Sequence, residues 1–574
     1  MTTDPTPLIR RVTGPLIEMD GFPGMAMNDL VALGAHGLPG EVVAINDGRV
    51  TVQAYEYTGG LGPGDTVSPL RQPLSARLDP GLLGGVFDGL LRPLTTAPTW
   101  LEPGAAAPAD GRLWHFRPRA RPGDQVEAGA VLGTVSDAGP LEYRILVPPG
   151  GDGRLDSLAA EGDYPSEQVI ATIDDRPVTL TICWPVRLAR PYRDRAVAGA
   201  PLHTGQRAVD LLFPVPRGGN VSVPGGFGTG KTVLLQQLAK WCDADVIVYV
   251  GCGERGNEMA EIVAELLALT DPRTGGRLAD RTVIIANTSN MPMMAREASV
   301  YTGVTVAEHF RDMGYHVVLV ADSTSRWAEA LREFAARTGV LPAEEGYPAD
   351  LASALAAFYE RAGAVTTLGG AAGSVTIIGA VSPPGGDVSE PVTTHTERFV
   401  RCRWTLDRDL AYARHYPAIS WADSFSRDVD AVAAGYAAAG DAEWGVRRGR
   451  VVRLLAESDR LVALTELVGT AALPADQRMV VLGGRLLREA VLQQNALSPN
   501  DAHCSMDKTT ALVEAVLAVF DRCRELAGSG IAAERIEEMD FGPLVRAREA
   551  AGPQDTAAVR QRRDLVLAEL GELS

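Results

Sequence analysis

The chain has 574 residues, a net charge of −18 and 46% hydrophobic residues. Its length asks for three or four domains, each with its own core, and its acidity argues against nucleic acid as a main partner. Six cysteines, at 183, 242, 252, 402, 504 and 523, include no CxxC pair; they suit a reducing cytoplasm and give neither a disulfide framework nor a zinc site.

The opening MTTDPTPLIRR has no apolar core of the kind a signal peptide needs. From about residue 8 to 70, short alternating runs such as Glu41–Ile45 and Arg49–Gln53 are separated by turn signals at Asp47-Gly48, Gly59-Gly60 and Pro63-Gly64-Asp65. That spacing predicts a small β-barrel. Pro73 to about Pro98 reads as a linker into the main domain. From Thr99 to Val178 the composition shifts: Pro, Gly and Ala dominate Pro103–Pro108, and strand-like runs follow at Val126–Leu132 and Leu141–Val147. Apolar alternation persists there, so the segment reads as an inserted, exposed β-rich module rather than a disordered linker.

Residues 179–427 alternate strands and helices. Val246–Val250, Val317–Ala321 and Ser374–Ala380 are continuously apolar, the mark of a parallel sheet covered on both faces. The longest uncharged run, Ala362–Gly386, is broken by glycines, threonines and Pro383-Pro384. It reads as strand–turn–strand, so no direct membrane insertion is expected. After Asp428, Ala, Leu, Glu and Arg dominate, and Leu512, Val516, Val519, Phe520, Cys523 and Leu526 recur at helical spacing, which predicts a C-terminal helical bundle. The expected fold is therefore multidomain. A β-barrel (1–72) precedes a P-loop α/β nucleotide-binding domain (73–98 and 179–427), which is interrupted by a β-rich insert (99–178) and followed by an α-helical domain (428–574).

The densest chemistry lies in VSVPGGFGTGKT, residues 221–232. A short strand ends at Pro224. Gly225, Gly226, Phe227, Gly228, Thr229, Gly230, Lys231 and Thr232 then form a Walker A loop, and Val233 starts an apolar helical run. Glycines let successive N–H groups turn inward around phosphate oxygens, and the helix N-terminus adds positive partial charge. Lys231 is expected on the β- and γ-phosphates of ATP and Thr232 on Mg²⁺. The strand Val246–Val250 runs into GCGERGNEM (251–259), at the sheet edge where open α/β sheets bind ligands. There Glu254 is placed to polarise the attacking water, Arg255 to pair or reach phosphate, and Glu258 to hold a water of the Mg²⁺ shell. Asp322, closing the apolar strand Val317–Ala321, forms a Walker B pattern and is expected to hold Mg²⁺ through water. Arg296 lies at a further strand end.

These residues together resemble the catalytic A subunits of the V/A-type rotary ATPases. The resemblance runs through VPGGFGTGKT, VGCGERGNEM, ANTSNMPMMAREASVYTG, AEHFRDMGYHVVLVADSTSRWAEALRE, EEGYP and LQQNAL. It implies a two-sector, ion-transporting ATPase in which ATP hydrolysis or synthesis is coupled to proton or sodium passage. It further implies an alternating hexamer of three A and three B subunits, with the B-type subunit supplying an arginine finger. Central and peripheral stalks and a membrane sector complete the assembly, which sits on the cytoplasmic face of the plasma membrane. The module at 99–178 corresponds to the family's bulge. By resemblance Glu254 is the catalytic glutamate, Arg255 its neighbour, and Tyr416 and Leu497 form the two walls of the adenine pocket. The chain departs from the family at three positions: Thr229 stands where relatives have Cys or Ser, Leu497 where they have Phe, and Ala354 where Arg is common. The alternative is a homohexameric secretion-type ATPase carrying its own finger, for which Arg427 is the candidate. An RNA-translocating helicase is disfavoured by acidity and the lack of an aromatic, basic platform, and a non-catalytic ring subunit by Glu254 and the intact Walker A.

Overall fold

The computed structural model describes residues 7–46, 48–95, 111–197, 199–271, 273–469 and 473–573. Asp47 of the expected Asp47-Gly48 turn, the boundary at 98–99 and the run 103–108 lie outside them.

The first strands are β1 (Ile9–Thr13), β2 (Leu16–Asp20), β3 (Asp29–Leu33), β4 (Leu38–Asn46), β5 (Arg49–Ala54) and β6 (Val67–Pro73). They form an antiparallel sheet in the order β1-β2-β5-β4-β3-β6. An isolated bridge between Leu8 and Thr66 draws its two edges together. The inward side chains of the alternating runs, among them Val42, Val50 and Val52, fill its core.

The stretch read as a linker is structured. It carries β7 (Ser75–Leu78) and β8 (Val86–Phe87). Val86 and Phe87 are buried because β8 adds in parallel as the last strand of the main sheet, beside Ile284 and Ile285. The module that follows contains β9 (Leu113–Pro118), β10 (Gln125–Val126), β11 (Val131–Val135), β12 (Tyr143–Leu146), β13 (Gly153–Leu158), β14 (Gly162–Pro165), β15 (Val169–Ile173) and β16 (Arg176–Thr179). These make two four-stranded sheets, β10-β13-β15-β16 and β12-β11-β9-β14. The chain leaves through β17 (Ile182–Pro185), which pairs with β7.

The central ten-stranded sheet adds β18 (Asp194–Arg195), β19 (Asn220–Pro224), β20 (Val246–Cys252), β21 (Thr282–Asn287), β22 (His316–Asp322), β23 (Gly363–Thr366), β24 (Ala372–Val381), β25 (Cys402–Arg403) and β26 (Phe425–Ser426). The main path runs β26-β25-β19-β24-β22-β20-β21-β8. Strands β19, β24, β22, β20 and β21 are parallel neighbours. Their continuous apolar runs are buried on both faces, as expected of a sheet sandwiched between helices. The helices are α1 (Arg207–Leu212), α2 (Lys231–Trp241), α3 (Gly256–Ala268), α4 (Met293–Asp312), α5 (Thr324–Thr338), α6 (Leu351–Tyr359), α7 (Pro391–Phe399) and α8 (Arg408–Tyr412).

The inserted module does not stand clear of this domain. Tyr143 and His309, the latter on α4, share a buried hydrogen bond of 2.7 Å. Tyr315 donates to the Glu142 carbonyl at 2.7 Å. Gly129, at φ +83°, packs on the 368–369 backbone so closely that a Cβ there would lie 2.4 Å from the Gly369 nitrogen. The reading of the module as simply exposed missed this seat because each contact joins residues far apart in sequence.

The C-terminal part is helical: α9 (Val429–Ala438), α10 (Trp444–Val468), α11 (Ala475–Leu487), α12 (Met506–Gly528), α13 (Ala533–Glu537), α14 (Gly542–Ala550) and α15 (Thr556–Gly571). The α12 residues picked out by spacing are all buried. They pack in one continuous core with α2 and the face of the central sheet that it covers.

Candidate active site

Pro224, Val381, Asp322 and Cys252 end four parallel strands at one edge of the sheet, with Pro224 level with Val381 and Gly251 level with Asp322. A cleft of ≈ 1180 Å³ opens there. The Walker A loop forms one wall. Gly230 caps α2 in the left-handed conformation, φ +83°, which a side chain rarely adopts; that turn aims the first N–H groups of α2 into the cleft. Thr229 is buried and its hydroxyl donates to the Gly226 carbonyl at 2.9 Å. Phe227 at the loop tip is 98% exposed.

Lys231 crosses this space. Its ammonium donates to the carbonyls of Gly225 and Val381, both at 3.1 Å, and to the Ser382 hydroxyl. Burial holds its pKa below the usual lysine value. Thr232 sits beside it on the cleft wall. Asp322 is buried, accepts from the Tyr249 hydroxyl at 3.2 Å, and has its pKa raised by that burial. Glu254 follows β20 by two residues. Its carbonyl accepts from Ser289 N at 2.9 Å, which ties the Glu254 loop to the end of β21. Burial, reinforced by the nearby Asp322 carboxylate, pushes the Glu254 carboxyl up to about 7. A carboxyl at that value is suited to accept a proton near neutral pH.

Arg255 and Glu258 differ from these. Arg255 is 73% exposed and lies 3.7 Å from Glu258, so both stand at the mouth of the cleft and pair with each other. Two lining residues that sequence reading did not assign are Arg326, on α5 one turn past Asp322 and paired with Glu329 at 2.9 Å, and Ser382. Arg326 lies inside the run ADSTSRWAEALRE, and its signal there is a cation four residues after a Walker B aspartate. Arg296, read from its strand-end position, also lines the cleft.

A second cavity of ≈ 430 Å³ adjoins the first and shares Thr229, Gly230 and Val233 with it. Tyr416 stands so close to Gly230 that a Cβ there would meet the ring at 3.3 Å. Leu497 lines the same cavity and is 93% exposed. The two walls are joined, since Gln494 N donates to the Tyr416 carbonyl at 2.7 Å. Arg548 and Glu549, from α14, close the far side and were not foreseen.

A buried hub holds this cavity's rim. Arg207 on α1 and Asp501 are both 0% exposed and pair at 2.6 Å. Arg207 also donates to the carbonyls of Val491 and Gln493, each at 2.6 Å, and its N–H donates to the Gln494 side chain at 2.9 Å. Asp501 in turn accepts from Asn495 N at 2.8 Å. Ala354 lies away from both cavities, partly buried against the core. Arg427 is exposed just past β26, near one edge of the sheet, with its guanidinium 5.2 Å from the Phe425 ring centroid; it lines neither cavity.

The oxygen donors suit a hard cation. A helix-start hydroxyl and one buried carboxylate fit Mg²⁺, which takes few protein ligands and completes its shell with water and phosphate. Among the described residues no cluster of three or more His, Cys, Asp or Glu could by itself hold a metal.

Four family models match the chain. The nucleotide-binding domain of the ATP synthase alpha/beta family matches residues 205–426 and its beta-barrel domain residues 9–71. The alpha/beta subunit barrel-sandwich domain matches 107–187, and the C-terminal domain of V and A type ATP synthase matches 434–529. The chain is 47% identical over 569 residues to the V-type ATP synthase alpha chain of Nitrosococcus oceani, covering 96% of this chain and 95% of that one. It is 46% identical over 544 residues to the A-subunit of the A-type ATP synthase of Thermococcus onnurineus, covering 92% and 93%. Among solved structures, the assembled ATPase EscN of the enteropathogenic E. coli type III secretion system shares the fold, with TM-score 0.64, 23% identity, and coverage of 90% of this chain and 100% of that one.

Proposed function

The chain belongs to the A-subunit family of the V-type and A-type ATP synthases, and from that membership we propose the role of each residue in its cleft. It is the catalytic subunit of an ATP-hydrolysing, ion-translocating ATPase and works within a multi-subunit complex. The secretion ATPase is the more distant relative.

The observation that supports the assignment is the convergence of Lys231, Asp322 and the lifted carboxyl of Glu254 on one cleft at the carboxyl ends of parallel strands. The loop from Gly225 to Val233 cradles the phosphates of ATP, Lys231 neutralises the β- and γ-phosphates, and Tyr416 and Leu497 hold the base. Thr232 and Asp322 would hold Mg²⁺, with Glu258 placed to take a water bound to it; when bound, the ion would supply neutralisation of the phosphate charge. Glu254 orients the attacking water and takes its proton. In the synthesis direction it returns that proton to the departing oxygen. Arg255 stays paired with Glu258 until phosphate draws it in. Residues 1–72, 99–178 and 428–574 serve as barrel, bulge and helical domains around the catalytic domain at 73–98 and 179–427. The partners are a B-type subunit in an A3B3 ring, central and peripheral stalks, and a membrane sector that holds the complex on the cytoplasmic face of the plasma membrane.

The site is incomplete in one chain. An arginine finger is worth about 10³–10⁵ in rate, or roughly 4–7 kcal/mol of barrier. Arg427 stands apart from its own chain's cleft, as a finger serving a neighbouring subunit does in either assembly; in an alternating A–B ring that neighbour's site is the non-catalytic one, so on this reading the finger for this chain's ATP comes from the B-type partner. Steady-state ATPase measurements test this. The lone chain should bind nucleotide and turn it over very slowly. Adding the B-type subunit should restore turnover, and Arg427→Ala should cost the reconstituted complex much less than Glu254→Gln. Robust activity of the lone chain, lost with Arg427, would instead support a self-sufficient homohexamer.

A further inference from the structure

An ammonium has three N–H donors and no acceptor. Lys231 commits donors to the Gly225 carbonyl, the Val381 carbonyl and the Ser382 hydroxyl. Reaching both β- and γ-phosphates needs two of them. Gly225 belongs to the phosphate cradle itself, so the donors to be freed are those spent at the end of β24.

That end is held in place from α5, the helix that follows the Walker B aspartate. Ser382 N donates to the Ser325 hydroxyl at 2.8 Å. Thr324 donates from its hydroxyl to the Ala380 carbonyl at 2.9 Å. The loop beyond Ser382 lies over the Walker A backbone, where a Cβ on Gly226 would come within 3.6 Å of Gly386 Cα. Ser382 is therefore presented to Lys231 as a fixed hydroxyl acceptor at the cleft wall, one residue past the strand that neighbours the Walker A strand.

We propose that Ser382 is a positioning residue that competes with nucleotide phosphate for Lys231, so that the Ser325–Ser382–Lys231 chain weakens nucleotide binding and eases its release. The proposal rests on the assignment of Lys231 to phosphate. Its sign is the opposite of what a phosphate-binding serine would give: removing the hydroxyl should tighten binding. A net hydrogen bond of ordinary strength corresponds to roughly a three- to tenfold change in affinity.

The test is titration of the full-length chain with Mg²⁺ and the non-hydrolysable analogue AMPPNP. Ser382→Ala should lower Kd about three- to tenfold. Ser382→Thr, which keeps the hydroxyl, should match the parent. Ser382→Cys, of similar volume and a poorer acceptor, should tighten binding too and serves if the alanine variant folds poorly. A purely structural role for Ser382 would not tighten binding on loss of its hydroxyl. Unchanged or weaker affinity in the alanine or cysteine variant overturns the proposal. Lys231→Ala separates the two levels of argument: if it binds AMPPNP as the parent does, the phosphate assignment itself is wrong. If it loses binding while Ser382→Ala leaves affinity unaltered, only the competition is refuted.

Discussion

Replacing Arg207 with methionine keeps most of the buried volume and deletes the charge. Three interactions go with it: the ion pair to Asp501 and the bonds to the Val491 and Gln493 carbonyls. The backbone bond from Arg207 N to Gln494 remains. Asp501, fully buried, keeps Asn495 N and a distant Arg548 at 3.5 Å. Breaking a buried pair by removing one partner costs about 3–5 kcal/mol, because the remaining charge is left uncompensated. At roughly 2–4 °C per kcal/mol for a folding unit of this size, the first unfolding transition should fall by about 6–20 °C. The Val491 and Gln493 carbonyls lie just before Leu497, so the rim of the base cavity should loosen as well and nucleotide affinity should drop. Differential scanning calorimetry and nucleotide titration on the full chain measure both. A shift under about 2 °C with unaltered affinity would show that Arg207 is not the clasp between α1 and the helical domain.

Glu254→Gln in the assembled complex should keep ATP binding and lower hydrolysis by roughly 10²–10⁴. Because the Glu254 carboxyl sits at about 7, its proton-accepting form grows as pH rises through that value. The parent's kcat/KM should climb between pH 6 and 8, and the glutamine variant should lack that limb; a flat parent profile refutes the assignment. Leu497→Phe supplies a second aromatic wall opposite Tyr416 and should tighten ATP binding about three- to tenfold, since an aromatic contact is worth roughly 0.5–1.5 kcal/mol beyond area; equal affinity by titration would place the base elsewhere. Gly129→Ala forces a side chain into a left-handed turn and onto the Gly369 backbone, at roughly 1–3 kcal/mol. It should raise hydrogen exchange at 143–147, and unchanged exchange would mean the module is not seated there.

The parts of the site that were legible in the sequence are those whose chemistry is local. A phosphate cradle needs consecutive residues, so the run from Gly225 to Thr232 announces itself, and a carboxylate closing an apolar strand does the same for Asp322. The sheet was legible for a related reason: strands buried on both faces cannot hide their apolar runs. Ser382, Arg207–Asp501 and Arg548 meet their partners only across long stretches of sequence, and nothing near them marks the partner. Within the stretch read as a linker, β8 was hidden for want of length, because its two residues are too few to show a period although the main sheet claims them. The seat of the inserted module was hidden in the same way, being made of single contacts from several loops.

Helix α4 is 20 residues long and buried over nearly its whole course, hence about 30 Å from end to end. Arg296, near its start, lines the nucleotide cleft; His309, near its finish, holds Tyr143 of the module. Adding or deleting a single residue between them would turn one end by about 100° relative to the other, so no such change can leave both attachments intact. A loop of the module that makes none of the seat contacts can change length without moving them, whereas this one rod has a gauge set at both ends.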